Sequence, residues 1–383
     1  MTESRTSQLI DTIVAARLVL VPPVFVAAAL LYTFLGSRTV SENVAIVFAI
    51  LTYGVGAFDV AEIYRNSRAE YKLIAIRRYV VVIGLLPVKL YFAWLGNLEL
   101  VLIIQGVEAA MWQVVLVPFS RKTLESCLRA LRRLSEGARE IWELKSLWLS
   151  GITSVLATRA DVYVVAAYVG VAQLGQYSTA SRFVEAASIV AVAATTVIFN
   201  DLARAANTAR DYATKSRSSA RQMLGLSTLC TLALATFGPF LVVLLYGREF
   251  QSAAELIPLY SLTLIPLFQR QLISKILVIE RQYRLSLISN VVGLALNLLM
   301  NFLLVPHLGV WGAVISAVSS YILTILVSFA PTRKGRKILT ISIGAVAMND
   351  RSLTEACSEM IDVRRRSSDE QEANTAQTRR VEA

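Results

Sequence analysis

Charged side chains that could do chemistry sit inside otherwise apolar stretches: Lys89, Glu108, Arg159, Asp161, Arg182, Glu185, Arg270 and Lys275. A charge at mid-membrane depth costs roughly 2.5–3.5 kcal/mol on insertion scales, so such groups pair with one another or face a polar cavity. The chemistry open to them is ion pairing and the holding of a charged solute. Bond-making motifs do not accompany them: the sequence has no phosphate-binding glycine-rich loop, no HExxH and no nucleophile elbow. One histidine and three scattered cysteines, Cys127, Cys230 and Cys357, supply neither metal-ligand spacing nor a disulfide framework. The expectation is a protein that is not an enzyme and that carries no metal and no cofactor.

Four of these charges fall in the stretch from Ser146 to Asn207, which reads as two long apolar helices joined by a charge-free turn at Gly170–Gly175. Arg159 and Asp161, two apart, point to nearly opposite sides of their helix and need other partners. Counting outward from the turn sets Arg159 level with Glu185, and Asp161 within about one helical turn of Arg182. A crossed pair of inter-helix contacts is one reading, and a local Arg182–Glu185 pair, three residues apart on one face, is the other.

The remaining embedded groups sort by partner. Lys89 follows Pro87 by two residues and lies near Glu108 in depth, which suits either an ion pair or a cavity-facing lysine. Arg270, between Gln269 and Gln271, has no acid at matching depth and is the candidate free cation. Lys275 is nearer the inner surface and can snorkel. Asn297 and Asn301, four apart, share a helix face as inter-helix glue or cavity lining. The substrate-cavity cations are therefore expected to be Arg159, Arg270, Lys89, Arg182 and Lys275. Their polar or charged partners are Asp161, Glu185, Glu108, Asn297 and Asn301. The embedded cations outnumber the acids by about two, which favours an anion in the interior.

The elements that must position these groups are membrane helices. The chain has 383 residues, 55% of them hydrophobic and 17% charged, with a mean hydropathy of +0.57. Soluble domains carry about a quarter charged residues, so the expected class is an all-α membrane protein. About ten spans are expected, at 11–35, 42–62, 77–96, 98–119, 146–169, 175–200, 221–246, 253–280, 284–305 and 309–331, in two bundles around a central cavity. The first run lacks a cleavage pattern and is expected to stay as a signal-anchor helix. The net charge of +11 comes from basic residues between the spans, which fix orientation and do not point to nucleic acid. Arginines and lysines crowd the connections after even-numbered spans, so both termini are expected in the cytoplasm. The domains are then 1–119, a four-helix bundle; 120–145, a basic linker helix; 146–331, a six-helix bundle; and 332–383, a largely disordered tail. The tail's Arg333, Lys334, Arg336 and Lys337 suit anionic lipid headgroups, and Ile338–Met348 is expected to lie in the interface or fold back on the bundle.

The run TRADVYVVAAYVGVAQLGQYSTASRFVE resembles polysaccharide flippases of the multidrug/oligosaccharidyl-lipid/polysaccharide exporter superfamily, on Asp161, Gly175, Tyr177, Ala180 and Arg182. Tyr246-Gly247, Asn297, Asn301, Pro306, Gly309, Gly312 and Ala313 resemble that family's C-terminal block. Aligned this way, the chain starts near the family's third span and lacks the first hairpin, so the N-terminal bundle is incomplete. The resemblance implies flipping of undecaprenyl-pyrophosphate-linked oligosaccharide units across the bacterial cytoplasmic membrane for O-antigen, lipopolysaccharide or exopolysaccharide synthesis, by alternating access. Polysaccharide assembly proteins are the implied protein partners. The rivals are another exporter of the superfamily, either a lipid II flippase or a drug antiporter, and a non-transporting membrane partner of a polysaccharide assembly complex. A membrane-embedded polymerase or glycosyltransferase would need an outer catalytic loop or acidic cluster, and neither is present in the sequence.

Overall fold

The computed structural model describes residues 40–54, 71–116, 145–157 and 159–342, with isolated positions near both ends. The expected first span at 11–35, the later part of the second, the basic linker at 120–145 and most of the tail beyond 348 lie outside the described residues. Among the described residues every regular element is helical. The chain divides into two units, Met1–Glu143 and Leu144–Ala383.

The first unit contains α1 (Val40–Gly54), α2 (Tyr71–Trp94) and α3 (Leu98–Leu116). Gly96, at φ 71°, turns the chain between α2 and α3. Asn97 then accepts a bond from the Leu100 N–H at 3.1 Å, satisfying one of the orphan donors at the start of α3. Helix α3 packs on α1 through Gly106, where a Cβ would come within 2.6 Å of Thr52 Oγ1 and 3.2 Å of Ala49 Cα. Only glycine permits that approach.

The second unit runs through α4 (Lys145–Ala157), α5 (Ala160–Ala205), α6 (Ala209–Tyr246), α7 (Gln251–Ser261), α8 (Leu264–Ile279), α9 (Tyr283–Leu308), α10 (Val310–Phe329) and α11 (Arg333–Ser342). The sequence reading of one helix over 146–169 is corrected: the chain breaks between α4 and α5, with Arg159 in a turn at φ −125°, ψ −8°. Helix α5 itself reverses at one residue, Gly170, at φ 82°, ψ 171°. The reversal is evident from contacts, since Asp161 and Tyr177, 16 residues apart, are hydrogen-bonded, whereas a continuous helix would separate them by about 24 Å. Gly170 alone makes the turn, and Gly175 lies in the returning arm. An L side chain resists this backbone region, and glycine has no Cβ to resist with.

Four helical runs are long and apolar enough to cross a membrane among the described residues, or five if α7 and α8 form one bent span. Helix α6 has 38 residues, about 57 Å at 1.5 Å per residue, which exceeds a hydrocarbon core of about 30 Å. It begins at Ala209, well before the expected residue 221, and its early turns carry Arg210, Asp211, Lys215 and Arg217 outside the apolar stretch. There Lys215 faces Asp201 of α5 at 3.6 Å.

Helices α7 and α8 meet at 51°. Pro258 and Pro266 flank the bend, and the backbone accounts for itself across it. The Ile265 N–H bonds to Leu262 O at 3.3 Å in place of Ser261 O, and the Ser261 carbonyl so released accepts a bond from Thr231 of α6 at 3.2 Å. In lipid every such backbone group must find an internal partner. Helices α9 and α10 are joined by Gly309 at φ 58°, and Gly312 lies so close to α9 that a Cβ would fall 2.9 Å from the Val305 nitrogen.

Beyond α10 the basic stretch forms α11, whose Ile338 and Ile341 are fully buried while Arg333, Lys334 and Arg336 are exposed. Arg336 reaches back to the Ala330 carbonyl at 3.1 Å, satisfying the end of α10.

Gly312→Ala is expected to lower the thermal midpoint of the detergent-purified protein, by about 1–3 kcal/mol of stability, because the added methyl meets backbone. Gly225→Ala, where nothing lies within 4 Å, is expected to change the midpoint little. Equal behaviour of the two variants in a thermal unfolding assay would contradict this packing.

Candidate functional site

The reversal at Gly170 sets the charges of α5 against one another. Arg159 bonds Glu185 Oε1 at 3.0 Å, and Arg182, from the same face of the returning arm, bonds Glu185 Oε2 at 3.1 Å. One of the two crossed contacts and the local Arg182–Glu185 pair are therefore both made, and one carboxylate serves two guanidinium groups. Asp161 does not meet Arg182. Its Oδ2 accepts a bond from the Tyr177 hydroxyl, and its Oδ1 accepts from the Val162 N–H at 2.9 Å. Tyr177 in turn lies 3.1 Å, hydroxyl to hydroxyl, from Tyr260 of α7, with the two rings stacked at 5.7 Å. The depth count that aligned Asp161 with Arg182 left out this tyrosine, which is five residues nearer the turn than Arg182.

A polar cavity of about 240 Å³ opens beside these groups within the second unit, lined among others by Asp161, Glu185, Tyr260, Arg270, Asn290 and Asn297. Arg270 approaches from α8. Its Nη2 donates to Asn290 Oδ1 at 2.6 Å, and its guanidinium lies 5.7 Å from the centre of the Tyr321 ring of α10. No carboxylate comes within the 4.0 Å ion-pair limit of it among the described residues. Asn290 is itself fixed from behind, since its amide nitrogen donates to Ser150 O at 2.9 Å and to Ser150 Oγ at 2.7 Å. Ser150 Oγ also lies 2.9 Å from Ser286 Oγ. A chain of hydrogen bonds from α4 and α9 thus holds the guanidinium in place. The approach depends on Gly293, where a Cβ would lie 3.0 and 3.2 Å from the two terminal nitrogens of Arg270.

The other candidate residues are placed differently. Asn297 lines the cavity and donates to Ser320 Oγ at 3.5 Å. Asn301 is fully buried one turn on and donates to Asn297 O at 2.8 Å. Lys275 is not in the lining, and its ammonium lies 5.8 Å from the Phe199 ring centre. Lys89 belongs to the first unit, where it pairs with Glu108 and donates to Gln105 Oε1 at 2.6 Å. Around the cavity and the Glu185 cluster stand Arg159, Arg182 and Arg270 against Asp161 and Glu185, a margin of one positive charge. Sequence reasoning named Tyr177 only as part of the family resemblance and missed Tyr260, Tyr321 and Thr263. The available signal was a phenol or hydroxyl in an apolar helix, which must find a partner there.

A family model described as the lipid II flippase MurJ matches residues 75–358. A solved structure titled "Lipid II flippase MurJ, inward closed conformation" is similar over 95% of this chain and 84% of its own, with a TM-score of 0.60 and 12% identity, a likeness of fold. No curated protein matches the chain. The chain belongs to the MurJ lipid II flippase family. It is an all-helical, multi-pass membrane protein with a MurJ-like transporter fold, in a family of flippases and not of enzymes. The family match overturns the resemblance to polysaccharide flippases, and with it the O-antigen, lipopolysaccharide and exopolysaccharide reading. The residues that carried that resemblance include Gly309 and Gly312, which turn the chain and let helices touch. They encode a way of packing helices that does not distinguish one lipid-linked cargo from another.

Gly293→Ala is expected to push the Arg270 guanidinium aside while leaving the fold intact, since a flexible side-chain end can yield a few tenths of an ångström. The measurement is pyrophosphate binding by the purified protein alongside its thermal midpoint. Affinity should fall about three- to tenfold, up to about 1.4 kcal/mol, with the midpoint nearly unchanged.

Proposed function

We propose that this chain moves lipid II, a polyprenyl-pyrophosphate-linked precursor of peptidoglycan, across the cytoplasmic membrane, with Arg270 receiving an anionic part of the cargo. Family membership supports the cargo. The observation that carries the role of Arg270 is its position in a polar cavity with hydrogen-bonding support behind it and no carboxylate beside it. A guanidinium offers paired donors to phosphate oxygens, and in a low-dielectric cavity this attraction is stronger than in water.

Arg159 and Arg182, both held by Glu185, add positive potential near the cavity without being free to grip the cargo. The lipid tail stays in hydrocarbon while the headgroup crosses through a polar interior, and access alternates between the two sides of the membrane. Both termini lie in the cytoplasm on this reading, as the arginine and lysine distribution of the connections favours. The exposed Arg333, Lys334 and Arg336 of α11 then meet anionic headgroups of the inner leaflet.

Arg270→Gln is expected to reduce lipid II translocation about tenfold or more, and Lys275→Gln to leave most of it. The assay is protection of labelled lipid II in proteoliposomes, backed by rescue of cells depleted of their lipid II flippase, at matched expression. Equal activity of the two variants would remove Arg270 from the mechanism. Failure of the well-expressed wild-type chain in both assays would remove the lipid II reading.

A further inference from the structure

Two opposite charges line the same cavity, and neither has an ionic partner there. Arg270 is held by Asn290 and Tyr321, and Asp161 by the Tyr177 hydroxyl and the Val162 N–H. Opposite charges sharing one low-dielectric enclosure attract, yet each is held by a separate network, Arg270 through α4, α8 and α9 and Asp161 through α5 and α7. Glu185 differs, because both of its oxygens are taken by arginines. A third group points the same way. Thr263, at the bend between α7 and α8, lines the cavity with its Oγ1 buried and without a hydrogen-bond partner. Buried hydroxyls are normally bonded, so an open one beside a cavity marks a place for a ligand atom.

We propose that the cavity takes a zwitterionic group, with its phosphate or carboxylate on Arg270 and a primary ammonium on Asp161. An ammonium carries three donors and no acceptor. Asp161 offers carboxylate oxygens to it, and the Thr263 and Tyr260 hydroxyls supply further acceptors on the same lining. A ligand with only negative charge would leave Asp161 uncompensated, and one with only positive charge would leave Arg270 so. The volume of about 240 Å³ is below the roughly 300–1,000 Å³ of sites that engulf a drug-sized molecule. It therefore receives one charged end of a larger amphiphile. Two sources share this chemistry: an amine-bearing peptide on lipid II, which rests on the function proposed above, and the headgroup of an ethanolamine phospholipid, which does not.

The test begins with the purified full chain and two soluble probes, glycerophosphoethanolamine and its N-acetyl derivative, read by thermal shift and by titration. The wild-type protein is expected to bind the free amine about tenfold more tightly, and Asp161→Asn to lose that preference while Asp161→Glu keeps it. Arg270→Gln should weaken both probes together. Equal binding of the two probes by the wild type overturns the proposal without any variant, as does a preference that survives Asp161→Asn. Proteoliposome assays then separate the sources. Faster translocation of lipid II with a free amine than of its N-acetylated form assigns the site to the cargo. No difference between those forms, with binding that responds to ethanolamine lipid and not to glycerol lipid, assigns it to the bilayer. Transport of neither form, with the soluble probes still distinguished, sinks the lipid II reading and leaves the zwitterion site standing.

Discussion

The second unit is organised by one constraint: a charge or a backbone polar atom inside hydrocarbon has no water to turn to. Several embedded groups are answered by another part of the chain. Glu185 answers two arginines, Tyr177 answers Asp161, and Thr231 answers the carbonyl freed where α7 bends into α8. The reversal at Gly170 makes the first two possible, because it brings residues far apart in sequence to the same depth. Sites of incomplete compensation are then informative, and Arg270, Asp161 and Thr263 meet around one cavity.

Within that cavity the division of labour follows from what each group is bonded to. Arg159 and Arg182 are committed to a carboxylate, so their contribution is potential and not grip. Arg270 is braced by a neutral amide, which fixes its direction without cancelling its charge. Ser150 and Ser286 extend the brace into α4 and α9, so movement of α4 relative to α9 would be felt at the guanidinium. Such a linkage between a binding group and two helices suits a protein whose cavity must change its exposure during each cycle.

Much of this was legible in the sequence because the signals were charges in apolar runs. The hairpin and the lack of an acid opposite Arg270 follow from depth counting and the cost of burial, and the Arg159–Glu185 and Lys89–Glu108 contacts were each one of two readings that the count left open. Depth counting did not resolve Asp161, because it compared charged residues only and a tyrosine on the opposite arm was the better partner. It did not find the break at Arg159 either, since an apolar run reads as one helix until its backbone is seen. The cargo was misread for another reason. Glycines and prolines that bend and pack helices dominate the recognisable motifs, and the polar groups lining the cavity are spread over many helices. Of the two placements the sequence left open for Ile338–Met348, the interface or the bundle, the burial of Ile338 and Ile341 agrees with the second.

The bend between α7 and α8 sets how this wall of the cavity can move. Its geometry rests on a choice by one amide, Ile265, between two neighbouring carbonyls, with a threonine of α6 holding the carbonyl not chosen. Straightening would return the Ile265 amide to the Ser261 carbonyl, but Pro266, four residues after Leu262, has no N–H to give Leu262 O in exchange. The proline therefore holds this wall of the cavity bent, and α6 shares in the bend through the one threonine that bonds the freed carbonyl.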